Sequence, residues 1–178
     1  MIPLLYESGL RSVFFGIETF NKKAGQYIGR AMDANKLKDT LHEIKNNCSD
    51  LLITAAFIIG LPGESWASIY KTVEWLESTK CPIDSYILNP LIDTGESKFT
   101  NSPEKYNMTY NKNGWKHDIM EQKEAQSFVN EMKSKKEFQT RNLLGIKDLK
   151  KSDKTEINKC EIIKNNMITN YYNKLVCV

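Results

Sequence analysis

The chain has 178 residues, of which 40% are hydrophobic and 26% are charged, and its formal net charge is +3 at pH 7. This length allows one domain with a hydrophobic core, or a domain with an appendage. So small a basic surplus argues against a protein that binds nucleic acid or a membrane surface mainly through its charge.

Neither an export signal nor a membrane span is visible in the sequence. Residues 1–10 lack a basic start followed by an apolar stretch, and the longest apolar stretch, residues 51–61, is too short to cross a bilayer. We therefore expect a soluble, cytoplasmic protein. Four cysteines occur at wide, irregular spacings: Cys48, Cys81, Cys160 and Cys177. We expect them to be reduced thiols, and we assign no metal ligands to this chain.

The chain begins with an alternation of predicted helix and strand. Residues 2–9 are typical of a short helix that ends at Gly9. Residues 10–18 are rich in apolar, β-branched and aromatic side chains and predict a strand. Asp33 can cap a second helix. The apolar positions of that helix recur at spacings of four and three residues: Leu37, Leu41 and Ile44.

The same alternation continues to residue 88. Residues 51–59 are almost entirely apolar, as in a parallel strand that is covered on both faces. Ser65 can cap the next helix, for which we predict one core face: Trp66, Ile69, Tyr70, Val73 and Leu76. Residues 83–88 predict a third strand. Strands that alternate with helices of this length favour an α/β fold with parallel pairing through right-handed crossovers.

The remainder of the chain is less regular. Residues 93–113 predict a loop, and residues 119–136 predict a helix with one apolar face: Ala125, Phe128, Val129 and Met132. We assign His117 to the junction before that helix. The lysine- and asparagine-rich tail has a weak helical pattern around residues 156–172. We therefore divide the chain into residues 1–97, which carry the α/β pattern, and residues 98–178, a loop and helical extension.

Two segments place unusual residues after predicted strands, where parallel sheets bind ligands. One is Gly-Ile-Glu-Thr at residues 16–19, and the other is Gly-Leu-Pro-Gly-Glu at residues 60–64. Each also has a purely structural interpretation. Glu18 can favour the start of the next helix through its charge, and the second segment can be a tight connection between a strand and a helix.

Taken together, the two segments resemble the radical S-adenosylmethionine (SAM) superfamily. The resemblance rests on Gly-Ile-Glu-Thr, on Ile-Gly-Arg at residues 28–30, and on Phe-Ile-Ile-Gly-Leu-Pro-Gly-Glu-Ser at residues 57–65. It is strongest to the branches with anaerobic coproporphyrinogen oxidase, the tRNA methylthiotransferases and the cobalamin-binding enzymes. Residues 88–95 resemble the stretch that ends many of these barrels, with Thr and Gly exchanged. Residues 1–97 would then be the fourth to sixth strands of a partial parallel (β/α) barrel, since three strands cannot close one.

The resemblance implies two residues at the polar end of a SAM site. Glu18 stands where the family has a polar residue that contacts the ribose or the amino acid end of SAM. Arg30 stands where some members pair an arginine with the SAM carboxylate, and a guanidinium suits a carboxylate because it offers a planar fork of donors. A solvated surface charge is the alternative for Arg30.

The resemblance also implies an adenine side of the same site. Ile58 would pack against adenine, with Gly60 close by. Ala56 stands where some members have an aspartate, so one polar contact of the family is in doubt. Leu88 and Asn89 would offer backbone groups to the edge of the base.

The largest departure from the family is the absence of C-x-x-x-C-x-x-C, whose thiolates hold a [4Fe–4S] cluster. In the family, the cluster cleaves SAM reductively to a 5′-deoxyadenosyl radical. We therefore expect the SAM-binding half of such an enzyme, inactive by itself. Two explanations of the missing half stay open: the reading frame is truncated, or a separate partner polypeptide supplies an N-terminal half-barrel and the cluster. The alternative is a non-catalytic remnant or binding module of the same fold. The sequence predicts neither the substrate nor catalytic residues.

Overall fold

The computed structural model describes residues 1–30 and 32–135. Its main sheet has three parallel strands in the order β1 (Ser12–Glu18), β2 (Leu52–Ile59) and β3 (Ser85–Pro90). The helices before and between them are α1 (Ile2–Glu7), α2 (Lys22–Tyr27), α3 (Ala34–Asn47) and α4 (Trp66–Glu77). The α/β class and the parallel pairing are as predicted. The helix predicted around residues 156–172 lies outside the described residues, as do Cys160 and Cys177.

The segment after β3 is more ordered than the sequence predicts. It contains α5 (Lys98–Asn101), a 3-10 helix (Pro103–Tyr106), an antiparallel hairpin of β4 (Thr109–Asn111) and β5 (Gly114–Lys116), and α6 (Gln122–Ser134). The prediction of a loop over residues 93–113 is therefore wrong. Its polar residues act as caps: the Ser97 hydroxyl accepts hydrogen bonds from the amides of Phe99 and Thr100.

Both predicted helix caps are confirmed. The Asp33 carboxylate accepts a hydrogen bond from the Lys36 amide at 2.9 Å, and Ser65 forms a reciprocal capping box with Ser68. The predicted core face of α4 is wrong at Tyr70, which is 58% exposed. Tyr70 lies about 100° around the helix from the buried Ile69, and is therefore at the edge of the apolar stripe.

The helices cover one face of the main sheet. Alternate side chains of β2 lie on that face: Ile53, Ala55, Phe57 and Ile59. They belong to one buried cluster with Leu41 of α3 and with three residues of α4: Ile69, Val73 and Leu76. The Phe20 ring, just after β1, contacts the rings of Phe57 and Trp75 and so joins the first strand to the fourth helix.

The hydrophobic core continues into the C-terminal part of the chain. The predicted apolar face of α6 is confirmed, because Ala125, Phe128, Val129 and Met132 are all buried in the main cluster. Trp115 of β5 and Met120 belong to the same cluster. The core thus crosses the position at which the sequence suggested a boundary, residue 97.

The main sheet is open within the part of the chain that the structure describes. β1 and β3 are its two edges, and these strands close no barrel. Over the same residues, every helix is too short or too polar to span a membrane.

Candidate functional site

A cavity of about 400 Å³ lies at the carboxyl ends of the three parallel strands. Each strand contributes to its wall: Glu18 ends β1, Ile58 lies near the end of β2, and Asn89 lies near the end of β3. Pro90, the last residue of β3, also lines it, and the other lining residues come from the segments that follow the strands: Ile28, Arg30, Leu61, Leu91, Ile92, Asp93, Thr94, Ser97, Lys98 and Phe99. This volume is within the range of small-molecule sites, about 300–1,000 Å³.

Glu18 is held in an uncommon backbone conformation at this wall. Its φ is +68°, and the Thr19 amide donates a 2.8 Å hydrogen bond to the Ile17 carbonyl across it. A hydrogen bond between residues two apart around a positive φ is a γ-turn, which is rare and strained in this form. The side chain is only 4% exposed. The turn thus places a buried carboxyl group where the strand meets the cavity.

Arg30 lies beside Glu18 at the cavity. Its guanidinium is 3.5 Å from Glu18 Oε1 and also donates a hydrogen bond to the Gly16 carbonyl. The arginine side chain is 53% exposed, so the guanidinium remains accessible to a second anionic group. Gly16 provides the necessary space, because a Cβ atom there would lie 2.5 Å from Glu18 Oε1 and 3.2 Å from Arg30 Nη1.

The residues that the resemblance implies for adenine are divided between the cavity and the core. Ile58 and Asn89 both line the cavity and are register partners on neighbouring strands. Ala56, Gly60 and Leu88 do not line it. The Leu88 side chain is fully buried in the hydrophobic cluster on the helix side of the sheet, and Ala56 is fully buried as well.

Gly60 is required by packing within this fold. Its φ is +96°, and a Cβ atom would lie 2.5 Å from Cη2 of Trp115. The Trp115 indole donates a 2.9 Å hydrogen bond to the Leu91 carbonyl, and the parallel imidazole of His117 lies 3.2 Å from the Gly60 carbonyl. The hairpin thus fastens the segments that follow β2 and β3.

His117 is a buried structural residue. Burial lowers the pKa of its imidazole, against opposing contributions from the Gly60 carbonyl, Asp118 and Glu124. Its partners assign the tautomer: Nε2 donates to the Gly60 carbonyl, and Nδ1 accepts from the Ile119 amide. The junction before α6 is as the sequence predicted, although the helix begins at Gln122.

A second buried carboxyl group, Glu64, lies behind the cavity wall. It is 7% exposed, and its Oε1 accepts a 2.6 Å hydrogen bond from the Thr19 hydroxyl. Burial raises the pKa of the Glu64 carboxyl to about 7, although Thr19 and the amides of Gly60 and Leu61 partly oppose the rise. This group therefore titrates close to neutral pH.

Asp93 organises the part of the cavity wall that follows β3. Its carboxylate accepts hydrogen bonds from a shell of donors: the hydroxyls of Ser97, Thr100 and Tyr110 and the Gly95 amide. Partial burial alone would raise the pKa of Asp93, but these hydrogen bonds outweigh it, and the pKa lies below its ordinary value. Burial and the neighbouring Asp93 carboxylate raise the pKa of Tyr110. The wall thus contains an ionised carboxylate at neutral pH.

Sequence reasoning missed several of these residues. Thr19 was noted only as part of a motif, and its partner is 45 residues away. Lys98 and Phe99 line the cavity but lie in the segment predicted as a loop. A signal was present for Asp93, since Asp-Thr-Gly-Glu-Ser is typical of a turn in which the aspartate binds a following amide.

The arrangement suits a ligand with an apolar ring and a charged end. Its apolar walls come from Ile28, Ile58, Leu61, Leu91 and Phe99, whereas its charges come from Glu18, Arg30, Asp93 and Lys98.

In residues 1–30 and 32–135, His, Cys, Asp and Glu form no group of three or more that could hold a metal ion.

Comparisons by sequence add no relative to this picture. No protein-family model matches the chain, and no curated protein matches it.

Proposed function

We propose that the cavity binds SAM and that this chain is the SAM-binding half of a radical SAM enzyme. In this proposal, β1, β2 and β3 correspond to the fourth, fifth and sixth strands of a partial (β/α) barrel. One observation carries the proposal: four of the residues that the resemblance assigns to SAM binding line a single cavity at the strand ends. They are Glu18, Arg30, Ile58 and Asn89.

The chemistry of the cavity fits the two ends of SAM. The exposed guanidinium of Arg30 offers donors to the methionine carboxylate, and the Glu18 carboxylate beside it offers acceptors for a hydroxyl or ammonium group. Ile58 and Phe99 provide apolar surface for the adenine ring. A site of this kind positions the cofactor, while the reactive chemistry belongs to the cofactor itself.

The iron–sulfur cluster of the family does not fit the part of the chain that the structure describes. Neither Cys48 nor Cys81 belongs to a group of three metal-binding side chains there. When bound, such a cluster supplies the electron that cleaves SAM. We propose that a partner polypeptide with a C-x-x-x-C-x-x-C motif supplies the cluster and the other half of the barrel.

Binding of SAM to the purified full-length chain tests the first part of the proposal. We expect calorimetry to show one site, and we expect Arg30→Ala to weaken binding about tenfold or more, because a charge-assisted hydrogen bond is lost. Arg11→Ala is the matched control. Arg11 bonds the carbonyls of Tyr6 and Leu10, just before β1 begins and at the opposite end of that strand from the cavity. Equal affinities in the two variants would rule out this site.

Catalysis is tested by anaerobic co-expression with a polypeptide that contains the cluster motif. After iron reconstitution, we expect SAM to be cleaved to 5′-deoxyadenosine, and we expect Glu18→Ala to abolish the product. SAM binding with no product from the reconstituted pair would contradict the catalytic claim. That outcome would favour the alternative, a binding module or remnant without activity.

A further inference from the structure

A buried hydrogen bond joins the segments that follow β1 and β2, next to the cavity wall at Glu18. The Thr19 hydroxyl donates to Glu64 Oε1 at 2.6 Å, and the same hydroxyl accepts a 2.9 Å hydrogen bond from the Asn21 amide. Thr19 and Glu64 are both buried. Thr19 follows Glu18 directly, so this bond fixes the chain one residue beyond the carboxyl group that lines the cavity.

The turn at Glu18 requires such a support. A non-glycine residue with φ near +70° is strained, and strained backbone persists only where the surrounding structure determines it. Thr19 holds the backbone on the carboxyl side of the turn, through the hydrogen bonds of its hydroxyl to Glu64 and to the Asn21 amide. The hydroxyl of Thr19 can fix the turn only while Glu64 offers it an acceptor.

We infer that Glu64 is a positioning residue that holds the Glu18 turn through Thr19, and that ligand binding in the cavity therefore depends on whether Glu64 is ionised. A hydrogen bond to a carboxylate is about twice as strong as a bond between neutral groups. Protonation of Glu64 weakens the bond and loosens the turn without removing any group from the cavity. The inference rests on the proposed function only for the choice of ligand.

The surroundings of Glu64 disfavour its ionised form, and so move its titration up to near neutral pH. Burial raises its pKa to about 7. The charged and titratable groups around Thr19 and the Gly60–Glu64 turn are the following: Glu18 with its partner Arg30, Lys23 and Tyr27 of α2 against Gly63, and His117 beside the Gly60 carbonyl, with Asp118 and Glu124 near His117. Burial lowers the pKa of His117, so its titration lies further into the acidic range.

The pH profile of ligand affinity tests the inference. The probe is S-adenosylhomocysteine, which lacks the reactive sulfonium, titrated calorimetrically into the full-length chain from pH 5.5 to 8.5. We expect affinity to rise about threefold to tenfold through pH 7. We expect Glu64→Gln to be flat at the weaker level, because its neutral acceptor does not titrate. Thr19→Val removes the donor, so it is also expected to be weak and flat, whereas Thr19→Ser restores the profile.

Asp84→Asn is the control for a general loss of stability. The Asp84 carboxylate also ties strands together, through the Ile53 amide and Lys45, but it does so at the amino ends of β2 and β3. We expect this variant to keep the pH profile of the parent chain. A profile lost equally in Asp84→Asn, or retained in Glu64→Gln, would overturn the inference.

A second measurement separates this inference from the proposed function. The amide NMR signals of Thr19 and Asn21 are followed over the same pH range without ligand. We expect both to shift with a midpoint near pH 7 in the parent chain and to stay constant in Glu64→Gln. If S-adenosylhomocysteine does not bind, the proposed function fails while the signals still decide whether Glu64 controls the turn. Signals that stay constant in the parent chain would overturn the inference that Glu64 holds the turn.

Discussion

Glu18 and Glu64 are both buried near the carboxyl ends of neighbouring strands, but their surroundings differ. Glu18 lies 3.5 Å from a guanidinium at the cavity, whereas Glu64 accepts a hydrogen bond from a hydroxyl behind the wall. Neighbouring carboxyl groups with different environments can have different roles. In our proposal, Glu18 contacts the ligand, and Glu64 holds the turn at Glu18 in place.

We expect Glu64 to make the protein less stable as the pH rises. Its pKa is about 7 in the folded chain, above the ordinary value of 4.5, so the folded state binds this proton more tightly than the unfolded state. The contribution of this tighter proton binding to the free energy of unfolding is fully present below pH 4.5 and is lost as the pH rises through 7. It amounts to about 3 kcal/mol at most. Urea unfolding of the parent chain and of Glu64→Gln at pH 5 and pH 8 measures this loss.

The Gln variant is expected to be the more stable of the two at pH 8, since it has no charge to bury. A difference between the chains that stays constant from pH 5 to pH 8 would contradict the raised pKa. A difference that appears only at the higher pH would support the raised pKa. Together with the pH profile of binding, it would mean that Glu64 favours function at some expense of stability, as is common for residues in functional sites.

The sequence predicts single residues well where the signal is local. Asp33 and Ser65 could be assigned as caps because a capping side chain binds an amide within three residues. The contact between Thr19 and Glu64 could not be predicted in this way, because it depends on how β1 and β2 are paired. Glu18 was predictable as a strand-end carboxyl group, but its left-handed backbone has no sequence signal.

The β4–β5 hairpin packs, from outside the main sheet, against the segments that follow β2 and β3. Trp115 fills the space above Gly60, and its indole binds the Leu91 carbonyl. Gly60 belongs to the most specific part of the family resemblance, yet in this structure its missing side chain makes room for the tryptophan. The glycine thus acts on the cavity indirectly, through the position of the hairpin.

We expect Gly60→Ala to destabilise the protein by about 2 kcal/mol or more. The added Cβ atom would lie 2.5 Å from Trp115, and overpacking of a filled core typically costs about 1–3 kcal/mol in addition to the backbone strain at φ +96°. Gly29→Ala is the matched control, because Gly29 has φ +73° and open space around its Cα atom. It is expected to lose only about 1–2 kcal/mol from backbone strain. Similar losses of unfolding free energy in both variants would exclude the packing role.

Long elements were predicted more reliably than short ones. The helices α3, α4 and α6 have periodic apolar residues over three or more turns, and the sequence located each of them within a few residues. The elements between residues 98 and 116 have only three or four residues each. Such elements carry no periodicity, and tertiary contacts such as those of Trp115 determine them.

At the level of the whole molecule, the alternation of helices and strands was sufficient to predict a parallel sheet. It was not sufficient to predict how the C-terminal part joins the fold. The apolar face of α6 was visible in the sequence, but the sequence did not indicate that this face is buried in the same cluster as β3. The candidate site follows the same division: the strand ends were predictable, and the wall after β3 was not.

Arg30 has a consequence for how the protein behaves at high concentration. Its guanidinium binds the Gly16 carbonyl of β1, an edge strand of the sheet. Exposed edges recruit strands from other molecules, and a basic side chain at the edge opposes this.

The substitution Arg30→Ala uncovers the Gly16 carbonyl. Its light scattering is therefore expected to rise with protein concentration, and less so in Arg30→Lys, which keeps a donor. Scattering that is equal in the three proteins would mean that Arg30 does not protect the edge. We thus expect the residue that binds the ligand also to keep the molecules apart.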